Sequence, residues 1–251
     1  MTRSRLIIAA AAVIVVVAVG GFIAYDQVLR GDSAAALTLP TASNAPAASV
    51  VAGASGAPAA STGTSAASTG DVAGTWNVAA DSVAGYRVRE QLANLPAESD
   101  AVGRTDKVTG SITSDTSGSA TTLTDASLSV DMTGLASDKT QRDNRLRREG
   151  LETDAFPTAT FKLTAPVEVP AAALTGTPSD ITLTGDLTIH GVTKSVQIPA
   201  KAQLVNGTIQ VAGSLGFPLS DYAIVAPNIG GLIVSIADNG TLEFLVNFTK
   251  G

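Results

Sequence analysis

The chain has 251 residues and a net charge of −6 at pH 7, with 16 basic and 22 acidic side chains and one histidine. It contains no cysteine, which excludes disulfide bonds, zinc–thiolate sites and thiol catalysis. An acidic chain with scattered Lys and Arg matches nucleic acid poorly, so no nucleic-acid partner is expected.

The N-terminal part of the chain has the charge pattern of a membrane anchor. Arg3 and Arg5 precede the uncharged, apolar residues 6–25, and Asp26 follows them. A helix of about twenty residues spans a ~30 Å hydrocarbon core, and the positive charges favour a cytoplasmic N-terminus. Residues 1–30 are therefore predicted to be a transmembrane signal anchor, which makes this a single-pass cell-membrane protein with its C-terminal domain outside the cytoplasm. Cleavage of a signal peptide, which would give a secreted protein, stays open.

The next segment, residues 31–72, consists mainly of Ala, Ser, Thr, Gly and Pro, with Asp32 and Asp71 as its only charged residues. Since it lacks a periodic apolar face, it cannot offset the entropy that would be lost on ordering. It is predicted to be a flexible, disordered linker, and a coil of about forty residues spans roughly 35 Å on average.

Residues 73–251 are predicted to form one β-domain. Apolar and polar side chains alternate in residues 127–132, 160–165 and 182–189, which is typical of strands with one buried face. Turns are predicted at residues 116–118, at His190-Gly191 and at Asn206-Gly207, whose Asn-Gly pair is a strong hairpin signal.

A second Asn-Gly pair occurs in Asp238-Asn239-Gly240, and it predicts another hairpin between residues 231–237 and 241–249. A calcium loop is the weaker interpretation of this acidic stretch, because the alternating oxygen ligands of such loops are missing. The sequence therefore predicts a turn here and no metal site.

Only residues 139–149 favour a helix, with Ser137-Asp138 as the cap and Gly150 as its end. About eight strands and one short helix predict an all-β domain whose single antiparallel sheet closes into a barrel. The helix is dense in charge from Arg142 to Glu152. This cluster has two interpretations: a rim that meets a lipid headgroup, or a solvated face of i,i+4 ion pairs.

Few residues in this sequence indicate catalysis or metal binding. His190 has no second histidine to share a metal, and it falls in a tight turn, so a turn-filling role is expected. Phosphate-binding loops, dinucleotide fingerprints and nucleophile elbows are absent. The sequence therefore predicts a binding protein with no catalytic residue, no metal and no cofactor.

Several linked motifs in residues 74–248 resemble the YceI-like family. They are Gly74-Thr75-Trp76-Asn77-Val78, Arg142-Asp143-Asn144-Arg145-Leu146, Phe156-Pro157-Thr158-Ala159-Thr160-Phe161, the stretch 185–196 and Asp221-Tyr222. The resemblance implies a lipocalin-like barrel that holds a long isoprenoid lipid. In this family the Arg-Asp pair at residues 142–143 is also expected to fix the helix over one end of the barrel.

The interior of such a barrel would be formed mainly by Val, Leu, Ile, Ala and Thr, which leave room for a narrow apolar tunnel. The residues expected to line it are Tyr86, Phe161, Leu187, Ile189, Phe217 and Phe244, with Arg104 and Arg142 near its rim. The predicted ligand is an isoprenoid lipid or quinone. The alternative is a packed, ligand-free domain that is displayed on a stalk and binds a protein partner, and the sequence leaves the oligomeric state undetermined.

Overall fold

The computed structural model describes residues 33–40, 72–92, 98–226 and 233–251. The predicted anchor and most of the predicted linker lie outside these residues. Within the described part, every helix is too short or too polar to cross a membrane.

In the described part of the chain, eleven strands form a single sheet, and short helices lie in the connections. The strands are β1 (Gly74–Val78), β2 (Val83–Leu92), β3 (Ser99–Thr105), β4 (Val108–Ser117), β5 (Ala120–Asp131), β6 (Thr158–Leu163), β7 (Val167–Val169), β8 (Ser179–Ile189), β9 (Val192–Val205), β10 (Thr208–Pro218) and β11 (Ile233–Lys250). Helix α1 is Thr140–Arg145, continued by a π-helical turn at Leu146–Gly150, and α2 is Ala171–Leu174. Single 3-10 turns lie at Met132–Gly134 and Leu219–Tyr222.

The sheet closes on itself as an eight-stranded antiparallel barrel. We call each of its eight positions a stave, and three staves each consist of two successive strands. β1 and β2 form one stave, since both pair with β11, and β4 and β3 form the next, since they pair with β1 and β2 respectively. β6 and β7 form the third, since both pair with β5. The ring then runs in chain order, and β11 closes it against the first stave. The predicted closed barrel is therefore confirmed, and closure removes the exposed edges that promote aggregation.

Two of the predicted hairpin turns have the backbone that their sequences favour. Asn206 and Gly207 have φ angles of 51° and 75°, and His190 and Gly191 have 51° and 73°. Positive φ at both central residues is the requirement of the tight turn that matches the twist of a hairpin. These two turns join β9 to β10 and β8 to β9.

The hairpin predicted at Asp238-Asn239-Gly240 is wrong, because these residues lie inside the continuous strand β11. Opposite β10 the register is unbroken, with Asn239 facing Pro218 and Gly240 facing Phe217. Opposite β2 the register shifts between Ile236 and Gly240, as at a β-bulge. The Asn-Gly pair therefore bends one strand and does not reverse the chain.

The predicted helix is present, but it is divided into α1 and the following π-helical turn, and its N-terminal cap is not the predicted one. Lys139 occupies the cap position of α1, and its side chain makes no capping hydrogen bond. Asp143 instead accepts hydrogen bonds from the Ser137 N–H at 3.0 Å and from the Ser137 hydroxyl at 2.6 Å. Arg142 binds Asp138 on its own segment and Glu90 on β2. Arg142 thus fixes the helix to β2 of the barrel, whereas Asp143 fixes it to Ser137 in the preceding segment.

The two ends of the barrel differ. At one end the described connections are residues 132–157, the turn at His190-Gly191 and residues 219–226, and helix α1 covers this end. At the other end, buried Trp76, Ile112, Leu123 and Phe248 fill the interior. The barrel is therefore packed at one end and covered by a helix at the other.

The ion pair between Arg142 and Glu90 generates a stability prediction. The Glu90 and Arg142 side chains are 3% and 13% exposed, so Arg142→Leu would leave a buried carboxylate without its partner. We expect a loss of roughly 3–5 kcal/mol in the free energy of unfolding, measured by urea denaturation. Glu90→Leu combined with Arg142→Leu should recover most of this loss, since apolar pairs often replace buried ion pairs without penalty.

Lys162→Leu is the matched control, because Lys162 pairs with Asp125 at 3.4 Å on the exposed surface. Exposed ion pairs contribute about 0–1 kcal/mol. An Arg142→Leu loss no larger than that of Lys162→Leu would show that the Glu90 ion pair does not hold the helix.

Candidate functional site

An apolar cavity of ≈ 170 Å³ lies inside the barrel at the end that α1 covers. It has more than ten times the space that a single buried water occupies, whereas well-packed interiors contain few voids larger than one water. Seven of the eight residues named from the sequence line it: Tyr86, Phe161, Leu187, Ile189, Phe217, Phe244 and Arg142. The period-two alternation of the strands places the six strand residues among them on the inner face, and Arg142 reaches the cavity from α1.

Arg104 lies elsewhere, so its expected position at the rim is corrected. It pairs across the strands with Gly85, and the side chains of that register point to the outer wall of the barrel. Its guanidinium donates to Glu243 Oε1 from Nη2 at 2.6 Å and from Nε at 3.0 Å. Arg104 therefore contributes to a charged cluster on the outer wall and does not contact the cavity.

Glycines on neighbouring strands make room for the cavity's aromatic rings. A Cβ atom added to Gly103 would lie 2.3 Å from the Tyr86 ring, one on Gly185 would lie 2.5 Å from the Phe161 ring, and one on Gly213 would lie 2.7 Å from the Phe244 ring. These rings can therefore lie over neighbouring backbone along the inner wall. Larger residues at the glycine positions would displace them toward the interior.

The polar groups of the cavity gather around Tyr86, under α1. Glu90 and Arg142 line the same cavity and are paired with each other. Burial raises the pKa of Tyr86, and the nearby Arg142 charge only partly opposes that rise. Burial opposes the charge on Arg142, but hydrogen bonds to Glu90 and Asp138 outweigh it and raise the pKa of Arg142. At neutral pH the site therefore presents a neutral phenol beside a guanidinium held in its charged form.

The Tyr86 hydroxyl is a buried polar group without a hydrogen-bond partner among the described residues. An unsatisfied buried hydroxyl destabilises a fold by about 1–3 kcal/mol, so such groups are uncommon unless a ligand uses them. Tyr86 lines the mainly apolar cavity, so a reorientation of this side chain can present the hydroxyl to the polar end of a molecule whose remaining length is apolar.

The lid, defined as α1 with its following π-helical turn, supplies apolar side chains to the cavity. Leu146 faces the cavity from the lid, and Leu135 and Leu151 do so from the flanking residues. On its solvent side Arg145 pairs with Glu149 at 3.7 Å, an i,i+4 pair between exposed side chains. The charge cluster thus combines a solvated face with one buried guanidinium, that of Arg142.

His190 connects three segments at the same end of the barrel. Its Nδ1 lies 3.1 Å from the Tyr222 carbonyl oxygen, and its Nε2 lies 2.9 Å from Glu152 Oε2. Its ring contacts Phe156 edge to face at 4.4 Å between centroids. The predicted turn position is confirmed, and the side chain additionally ties the residues after the lid to those after β10.

Sequence reasoning missed Glu90 as a site residue. Tyr86, Val88 and Glu90 share one face of β2 by period two, so the inward position of Tyr86 implied an inward carboxylate. A buried carboxylate requires a cationic partner, and Arg142 was the candidate already named for that end. Alternation and charge pairing together could therefore have identified this ion pair.

Metal ligands do not cluster in the described part of the chain. No group of three or more His, Asp or Glu side chains there is arranged to hold a metal ion. The absence of a metal and of a cofactor stays a prediction.

Comparisons with known proteins agree with this architecture. The model of the YceI-like domain matches residues 75–248. No curated protein has a sequence that matches the chain.

The solved structures that are similar to this one include the following two. A polyisoprenoid binding domain from Saccharophagus degradans, implicated in plant cell wall breakdown, has a TM-score of 0.54 at 21% identity, over 70% of this chain and 98% of its own. BcnA from Burkholderia cenocepacia has a TM-score of 0.50 at 21% identity, over 66% of this chain and 95% of its own. At this identity the likeness establishes the fold alone.

The domain match covers well over half of the sequence, and it spans every stave of the barrel. The chain therefore belongs to the YceI-like family.

Proposed function

We propose that the chain is an exported, membrane-tethered protein whose barrel binds one long apolar ligand, such as an isoprenoid lipid or a quinone. The observation that carries this proposal is the apolar cavity beneath the lid. A packed, ligand-free domain, the alternative left open by the sequence, would instead fill this end with side chains, as Trp76 and Phe248 fill the other.

The apolar lining accounts for affinity. Burial of one CH₂ group contributes about 0.8 kcal/mol, so a five-carbon isoprene unit contributes about 4 kcal/mol. Association costs ~4–15 kcal/mol in lost motion, which several buried units offset. A cavity of this kind therefore favours long chains over short ones.

The polar groups account for orientation. Tyr86 offers a neutral hydroxyl, and Arg142 beside it offers a guanidinium whose charge is already paired with Glu90. We assign these groups to the polar end of the ligand. A binding role, without catalysis, fits a site in which Glu90, the only carboxylate among the described lining residues, is committed to that ion pair.

Similar structures support the ligand class. One similar solved structure is described as a polyisoprenoid binding domain, and its fold covers 70% of this chain. We extend that class of ligand to this chain, and the predicted anchor at residues 1–30 supplies the membrane tether.

The first test is native mass spectrometry of the full chain, extracted in mild detergent from a host that makes polyprenyl lipids. We expect one bound molecule of lipid mass per chain. Added polyprenols should bind more tightly as isoprene units are added, until the cavity is filled. An apo mass that persists with added polyprenols and quinones would contradict the proposal.

Gly103→Ala tests the cavity. The added Cβ would overlap the Tyr86 ring, which must then turn into the cavity. We expect polyprenol affinity to fall at least tenfold, equivalent to about 1.4 kcal/mol, in a fluorescence competition assay. Gly216→Ala is the matched control, since its Cβ would meet no atom closer than 4.0 Å on the exposed face of β10. Equal affinities for the two variants would contradict this account of the cavity.

Tyr86→Phe separates stability from binding. Removal of an unpartnered buried hydroxyl should raise the free energy of unfolding of the ligand-free protein by about 1 kcal/mol, measured by urea denaturation. The same change should weaken binding of polyprenols about five- to tenfold, with no effect on a hydrocarbon that lacks a polar end.

Tyr222→Phe is the control for that experiment. Its hydroxyl is likewise buried without a partner in the described structure, but it lies outside the cavity lining. It should increase stability and leave ligand affinity unchanged. If Tyr86→Phe bound polyprenols as tightly as Tyr222→Phe, the assignment of Tyr86 to the polar end would be wrong.

A further inference from the structure

Part of the predicted linker lies against the barrel. Residues 33–40 are described by the structure, and Leu39 within them is only 8% exposed. Leu37 is half-buried, whereas Ala36 and Thr38 are exposed, so alternate side chains face the barrel. We name residues 33–40 the docked segment.

The outer wall of the barrel binds the backbone of the docked segment at one end through two arginines. Arg87 Nη2 donates to the Ala34 carbonyl oxygen at 2.6 Å, and Arg104 donates to that of Ala35. Both guanidiniums also pair with Glu243, at 3.6 Å and 2.6 Å. The Glu243 side chain is only 3% exposed although it faces outward. The two guanidiniums, held in place by Glu243, form a built site for carbonyl oxygens.

The other end of the docked segment meets a chain of amide side chains. Gln203 Nε2 lies 3.3 Å from the Pro40 carbonyl oxygen, and it also donates to Gln210 Oε1 at 2.8 Å. Gln210 in turn donates to Asn247 at 3.1 Å. Because the barrel recognises main-chain carbonyls, a segment of Ala, Thr and Pro can dock without distinctive side chains.

The geometry of the contacts indicates an extended segment that crosses the staves. The contacts run from Arg104 on β3 to Gln203 on β9, which are four strand spacings apart by way of β2, β11 and β10. Four spacings of about 4.8 Å amount to about 19 Å. The two ends are also offset along β11 by four residues, from Glu243 to Asn247, so the segment runs obliquely, and the long side chains of Arg104 and Gln203 add to the reach of residues 35–40, about 17 Å in extended form.

We infer that residues 33–40 are an intramolecular docking segment that fixes the outer wall of the barrel beside the predicted membrane anchor. The inference rests on the membrane tether of the proposed function. With the segment docked, only residues 26–32 separate the apolar run from the barrel, so the distance between them is at most about 25 Å. Without docking, residues 26–71 would separate them, and the same distance could be as large as about 160 Å. The docked barrel is thus held at the membrane surface.

The test uses the full chain in liposomes, with Leu39→Asp as the variant that disrupts docking. A charge at this buried position must leave the apolar contact. Thr38→Asp is the matched control, because it adds the same charge to the same segment at an exposed position. Thermal unfolding of both variants confirms that the barrel is intact.

Docking is measured within the molecule. Since the chain has no cysteine, Ser33→Cys and Ser195→Cys give a specific pair of spin labels. We expect one narrow distance distribution in the wild type and in Thr38→Asp. In Leu39→Asp it should become broad, as for a coil of about forty residues with a root-mean-square span of roughly 35 Å. A narrow, unchanged distribution in Leu39→Asp would overturn the inference.

The position at the membrane is measured by energy transfer from a fluorophore at Ser195→Cys to acceptor-labelled lipid headgroups. We expect strong transfer in the wild type and in Thr38→Asp, and a severalfold loss in Leu39→Asp. Equal transfer in all three would overturn the inference. Failure of the wild type to float with liposomes would overturn the anchor, and with it the membrane part of the inference, while bound lipid measured in the same samples reports separately on the proposed ligand.

Discussion

Closure of the sheet by β11 against β1 and β2 is the constraint on which the rest of the structure depends. A closed antiparallel ring assigns every second side chain to the interior and every other one to the outer wall. The apolar inner set creates the cavity. The two carboxylates that are buried among the described residues, Glu90 inside and Glu243 outside, must then each find cationic partners on their own side of the wall.

Much of this architecture could be predicted from local patterns. Alternation identified the inward faces of β5, β6 and β8, and the Asn206-Gly207 pair gave the correct turn, because both signals act over a few residues. The second Asn-Gly pair failed as a turn signal. At Gly240 the pairing of β11 with β10 on one side and β2 on the other outweighs the local preference, so the chain bends without reversing.

The position of Arg104 shows what local patterns cannot supply. An arginine can lie at a barrel mouth or on the outer wall, and only the register of β3 against β2 decides between them. The docking of residues 33–40 could not be predicted from the sequence for a different reason. Composition predicts disorder when side chains are uninformative, but here the barrel binds backbone carbonyls, which every residue has. Leu37 and Leu39, two residues apart in an otherwise small-residue segment, were the only sequence signal.

Strand β2 links the two sites. Its inner face carries Tyr86 in the cavity and Glu90 beneath the lid, and its outer face carries Arg87, which donates to the docked segment. A packed strand moves as a unit because neighbouring side chains leave little free space. Any shift of β2 that accompanies ligand entry would therefore also move Arg87 against Ala34. The proposed ligand site and the proposed docking of the barrel at the membrane therefore share the same ten residues of backbone.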